Sequence, residues 1–297
     1  MYKRQIEDSL ARTLVWTAAW DATRDGEAPA REFVQLVLAH IAKETESTTV
    51  TTLLRQLVGT ATLYVHESAR EQTLIQIADG LIKLTEQAKP GSDNQLQFAK
   101  FVPQFSRTET QLDWLQKVLD GEKRIEGLEV DQDLRWELLT GLVIGGRARL
   151  AEIENELARD NTANGQKFSA ACKAAIPTPE GKKAAWKILT ETEDYSNTLV
   201  NSASLAFGRV NDLALLEPYA DKYHDVALKI WNSRTYHIAA YLLTNLYPVQ
   251  LANEELASKT RALIETPEFK EKPALRRILV ENLAGLERGL KAQKADS

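Results

Sequence analysis

Apolar residues return along this chain at three- and four-residue intervals, with polar residues between them. That is the period of an α-helix with one buried face. No run alternates as a half-buried strand would. The nearest, Thr48 to Thr52, leads straight into the helical pattern LLRQLVGTATLYV. Turn and cap residues supply the borders. Asp8-Ser9 opens a first helix carrying Leu10, Leu14 and Ala18, and Asp25-Gly26 stops it. Pro29 stands at a first turn ahead of REFVQLVLAHIAKE. Helices are predicted over about 47–65, 68–87 and 93–105, with Lys89-Pro90-Gly91-Ser92 as a turn. Thr108 and Gln111 form a capping box before LDWLQKVL, which Asp120-Gly121 ends.

After a connector over about 122–130, Asp131 opens DLRWELLTGLVI, and Gly145-Gly146 closes it. RARLAEIENELARD carries Leu150, Ile153 and Leu157 at helical spacing. A helix over about 165–175 stops before Pro177. Thr178-Pro179-Glu180 combines a hydroxyl cap, a first-turn proline and an early acid. Ser196, Ser233 and Asn253 are the expected caps of later helices, and Pro218 divides DLALLE from YADKYHDVALKIW. Pro248 closes TYHIAAYLLTNLY, and Pro273 opens the last helix. Prolines are expected between apolar runs, never inside them. About fourteen or fifteen helices result, joined by short turns that force neighbours antiparallel. The predicted fold class is all-α, an α–α superhelix of antiparallel helix hairpins. Its repeats are degenerate, as in armadillo- or HEAT-like solenoids, and no linker forces a domain boundary.

Composition removes several function classes. The 297 residues carry a net charge of −5, and the basic residues are scattered. A nucleic-acid partner needs a clustered positive surface, and an anionic membrane repels an acidic chain. No apolar run reaches the length of a membrane span, and no signal peptide is visible. The single cysteine, Cys172, excludes an intrachain disulfide and a Cys-based metal cluster. Its small, apolar context SAACKAAI reads as a buried, inert thiol, and a chain without bridges suits a reducing cytoplasm.

The chain shows no catalytic motif. H-E-x-x-H, phosphate-binding glycine loops, the G-x-S-x-G elbow and DDxxD are absent. His40 and Glu44 lie one turn apart, but two ligands without a third make a weak metal site. Asp131 and Asp133 crowd a helix N-terminus, where the macrodipole favours acids. Trp16 and Trp20 share a helix face, open to either core packing or aromatic recognition. No catalytic, cofactor-binding or metal-binding residue is therefore assigned. Arg135 and Trp136, with Arg234 behind them, are the candidates for substrate contact, since arginines can hold a peptide carboxylate. The other reading pairs Arg135 with a neighbouring acid and packs Trp136 in the core.

Several phrases in order resemble one family. They include DSLARTLVWTAAWDATRDGE near the start, KPGSDNQLQFAKF, LDGEKRIEGLEVDQDLRWELL, IENELARDNTANGQ and IPTPEGKKAAWKIL. LLEPYADKYHDVALKIWNSR and ALRRILVENLAGLERGLKA complete the series. It resembles the C-terminal helical domain of aminopeptidase N, in the puromycin-sensitive-like form of actinobacteria. The resemblance implies a non-catalytic cap that encloses the active-site chamber of a zinc aminopeptidase and limits peptide access. Zinc and its ligands would belong to a catalytic domain missing from this chain, which would be its partner together with peptide substrates. The alternative is a free-standing helical-repeat scaffold that binds another protein. Met1 to Gln5 matches no part of the family and reads like a translated sequencing adapter. The expected organisation is thus a non-native leader over 1–5 and the helical domain over 6–297. Loss of a preceding domain would expose Leu10, Leu14 and Trp16 and favour self-association.

Overall fold

The computed structural model describes residues 6–193 and 195–297, so the expected leader over 1–5 lies outside the described residues. Among them are sixteen α-helices and no strand. In chain order these are α1 (Ser9–Arg24), α2 (Ala30–His40), α3 (Ser47–Gly59), α4 (Glu67–Gln87), α5 (Asp93–Phe105) and α6 (Glu109–Leu119). Next come α7 (Gln132–Ile144), α8 (Leu150–Arg159), α9 (Ala163–Ala175), α10 (Pro179–Glu191) and α11 (Asn197–Phe207). The series ends with α12 (Glu217–Ser233), α13 (Tyr236–Asn245), α14 (Glu254–Ile264), α15 (Pro267–Lys270) and α16 (Pro273–Ala295). The fold is all-α, and its packing is that of the α–α superhelical class. No helix among the described residues is long and apolar enough to cross a membrane.

The chain forms two compact units, one reaching to Leu134 and including Arg288–Ser297, the other Arg135–Glu287. In the first, α3 and α4 both pack on α5, and α1 packs on α2 and α3. Phe33, Val37, Leu54, Leu57, Ile77 and Phe98 form part of its dry interior. The chain's end is bound into this unit. Asp296, 1% exposed, accepts hydrogen bonds from the Arg31 N–H at 2.9 Å and the His66 N–H at 3.0 Å. In the second unit α9, α11 and α13 lie side by side. Helix α10 packs on α9 and α11, and α12 packs on α13 and α14. Neighbours in sequence thus alternate between two layers, the arrangement of a helical array.

Local chemistry explains most borders. The Asp8 carboxylate accepts from the Ala11 N–H at 2.7 Å and starts α1. Gly26, at φ 64°, ends that helix in the left-handed region. Thr108 and Gln111 make the expected reciprocal capping box of α6. Three expectations need correction. Pro103 lies inside α5 and is buried. Its ring has no N–H to offer the Ala99 carbonyl four residues back, and the helix ends two residues later at Phe105. Ser233 is the last residue of α12, not a cap of α13, because its hydroxyl donates back to the Lys229 carbonyl at 2.8 Å. The helix expected over 47–65 is α-helical only to Gly59. Residues 60–64 widen into a π turn, closed by the Val65 N–H on the Thr60 carbonyl at 2.9 Å. The wide turn sets Tyr64 against Trp20, ring centres 5.7 Å apart.

Candidate functional site

Asp131 accepts from the Leu134 N–H at 2.8 Å, and the first turn of α7 delivers Arg135 and Trp136. Trp136 is fully buried. Its ring stacks on Phe168 of α9, centres 5.9 Å apart and planes within 8°. Its Nε1–H donates to Asp160 Oδ2 at 2.8 Å. The other oxygen of Asp160 accepts the Thr162 hydroxyl at 2.6 Å, and Thr162 caps α9. Trp136 therefore binds α7 to the α8–α9 corner, and an indole N–H buried there has its acceptor.

Arg135 points to α8. Its Nε and Nη2 donate to the two oxygens of Glu156, each at 2.7 Å, in a forked, charge-assisted pair. The Arg135 side chain is 20% exposed and that of Glu156 7%. Arg234 follows α12 and turns to the end of α10. It donates to the Thr192 carbonyl and pairs with Glu193 at 3.5 Å. The structure thus joins Arg135 and Trp136 around the end of α8, while the contacts of Arg234 lie with Thr192 and Glu193.

The remaining candidates have structural partners. Glu44 is buried, and its carboxylate accepts from Arg12 Nη2 at 3.0 Å, Trp16 Nε1 at 3.1 Å and the Thr45 N–H at 2.9 Å. Burial pushes its pKa up, but these bonds outweigh that and hold it at about 2. Trp16 is therefore buried beside Glu44 instead of extending the exposed row, while Leu10 and Leu14 remain 69% and 65% exposed. The Cys172 thiol is fully buried against the Thr140 hydroxyl, and burial pushes it up to about 11. Among the described residues no group of three or more His, Cys, Asp or Glu side chains is placed to hold a metal ion. The zinc implied by the resemblance finds no holder among them.

The most unusual polar residue went unread in the sequence. Lys182 of α10 is completely buried. Its ammonium donates to the Ala174 carbonyl and the Phe207 carbonyl, both at 2.8 Å, and lies 5.2 Å from the centre of the Phe207 ring. Those carbonyls lie at the ends of α9 and α11, the negative poles of two helices. Burial still draws the amine down to about 7. The signal was its register: Lys182 lies three, four and seven residues before Ala185, Trp186 and Leu189, all buried.

The ERAP1-like C-terminal domain model matches residues 2–288, a span that reaches into the stretch 1–5 expected as a leader. Aminopeptidase N of Streptomyces lividans is 35% identical over 290 residues, which cover 98% of this chain and 34% of that protein. The chain spans about a third of the length of the curated relative it matches. With a helical array throughout its described residues and a family match over nearly its full length, the chain belongs to the ERAP1-like C-terminal domain family.

Proposed function

We propose that this chain is the non-catalytic C-terminal domain of a zinc aminopeptidase, one that removes N-terminal residues from peptides in the cytoplasm. In this reading it covers the active-site chamber of a separate catalytic domain and limits which peptides enter. The supporting observation is the match to a C-terminal domain family combined with coverage of only 34% of an aminopeptidase. The zinc and its chemistry then belong to the catalytic domain, since this chain carries no H-E-x-x-H motif. Exposed Leu10 and Leu14 offer that neighbour an apolar contact surface. Arg135, partly exposed beside Glu156, is the residue offered for peptide contact. Trp136 and Arg234 would act through the packing they hold. Neither nucleic acid nor membrane enters this reading.

An assay with aminoacyl-arylamides tests the division of labour. The purified chain leaves them intact with or without added zinc. Hydrolysis that survives metal removal and repurification overturns the reading.

A further inference from the structure

An open cleft of about 640 Å³ lies between α12 and α14, lined by Asp221, His224, Asp225, Lys259, Leu263 and Thr266, with Ala262. His224 is half-buried there, so protons from solvent reach it. Its Nδ1 lies 3.0 Å from the Ala220 carbonyl, and its Nε2 lies 3.0 Å from Thr260 Oγ1. A carbonyl can only accept, so Nδ1 carries a proton in both charge states. The neutral ring then presents a lone pair at Nε2.

Thr260 is fully buried and has one hydroxyl proton, which Nε2 of His224, the Leu256 carbonyl at 2.8 Å or the Tyr247 hydroxyl can accept. The buried Tyr247 hydroxyl lies 2.9 Å from the same oxygen. With neutral His224, a hydroxyl turned to Leu256 would leave two lone pairs facing each other at 3.0 Å. The proton must point at Nε2, and Tyr247 donates to the oxygen behind it. With protonated His224, Nε2–H becomes a donor. The Thr260 proton must then leave for the Leu256 carbonyl, and its oxygen accepts from both His224 and Tyr247. With Tyr247 donating to Thr260 throughout, each charge state has one complete arrangement, and they differ by a rotation of one hydroxyl.

We propose that His224, Thr260 and Tyr247 form a pH-responsive latch between α12 and α14, in which the Thr260 hydroxyl swings from Nε2 to the Leu256 carbonyl when the imidazole is protonated.

The charged surroundings set its direction. On α12, Asp221 and Asp225 favour the proton. On α14, Lys259 opposes it, although Asp221 at 2.7 Å and Glu255 at 2.8 Å hold that ammonium. The Tyr223 ring meets the imidazole edge-on, and Tyr247 is flanked in turn by Arg261 and Glu287. Burial is the largest influence and draws the histidine below its ordinary range. Below pH about 6.5 the unfolded chain therefore holds more protons than the folded one, and folding stability falls with pH even though the charged ring makes the stronger bond to Thr260.

The test is a pH titration of the full chain followed by the imidazole nitrogen resonances of His224. The neutral ring should be the Nδ1–H tautomer, with a midpoint below about 6.5. Thr260→Val removes the acceptor of the charged form, the stronger of the two bonds, and should lower the midpoint by about one further unit. Thr260→Ser should restore it. An Nε2–H tautomer, or a midpoint that Thr260→Val leaves in place, overturns the latch. If Thr260→Val fails to fold, the tautomer and midpoint of the unaltered chain decide.

Discussion

Glu44 concentrates the chemistry of α1 in one carboxylate. Its folded pKa of about 2 lies below the ordinary value of 4.5. The stabilisation is therefore present in full above about pH 4.5 and lost as pH falls toward 2, roughly 3 kcal/mol in all. Urea unfolding between pH 7 and 2 should show that fall, and Glu44→Gln should flatten it. An unchanged slope in the variant would contradict the assignment. A second residue with little freedom is Gly165 in the first turn of α9. A Cβ there would stand 1.8 Å from the Asp160 carbonyl oxygen. Gly165→Ala should cost about 2–4 kcal/mol in unfolding free energy, since backbone must move. A loss below about 0.5 kcal/mol would show that the corner yields freely. At this scale the sequence was least legible. Arg135, Trp136 and Arg234 could be singled out by type, but Glu156, Asp160, Thr192 and Glu193 as their partners depend on tertiary contacts that spacing does not encode.

Elements were far more legible, because caps act over three residues. Asp8, Thr108, Thr178 and Asn253 each start a helix by accepting an N–H three residues on. The misreadings have local causes too. Ser233 satisfies its hydroxyl within α12, and α5 ends within two residues of Pro103, whose ring removes one ladder donor. Between elements, Lys182 is a fully buried polar tie, joining α10 to the ends of α9 and α11. Its folded pKa of about 7 lies below the ordinary 10.5. Between these values the unfolded chain binds more protons than the folded one, so stability should rise from pH 7 toward 10. Chemical denaturation at pH 7 and 9.5 measures this. Lys182→Met should abolish the rise, and a rise that persists would assign it to other groups.

The whole molecule carries an apolar row that its own packing leaves open. Ile6, Leu10 and Leu14 are exposed at the start of the chain. Sedimentation should reveal concentration-dependent association, and Leu10→Asp with Leu14→Asp should return a monomer. A monodisperse parent chain that binds no hydrophobic dye would show that this row has no affinity for apolar partners. Helical periodicity alone fits a peptidase domain and a free scaffold equally well, since both need the same array. The ordered family phrases separated them, and the family match supports the same choice.

The most direct test of that choice is the size and activity of the native product. Antibodies against this chain should detect, in the cells that make it, a protein about three times its 33.3 kDa. That protein, once captured, should contain zinc and hydrolyse aminoacyl-arylamides. A native product of 33.3 kDa, captured without any peptidase, would contradict the account.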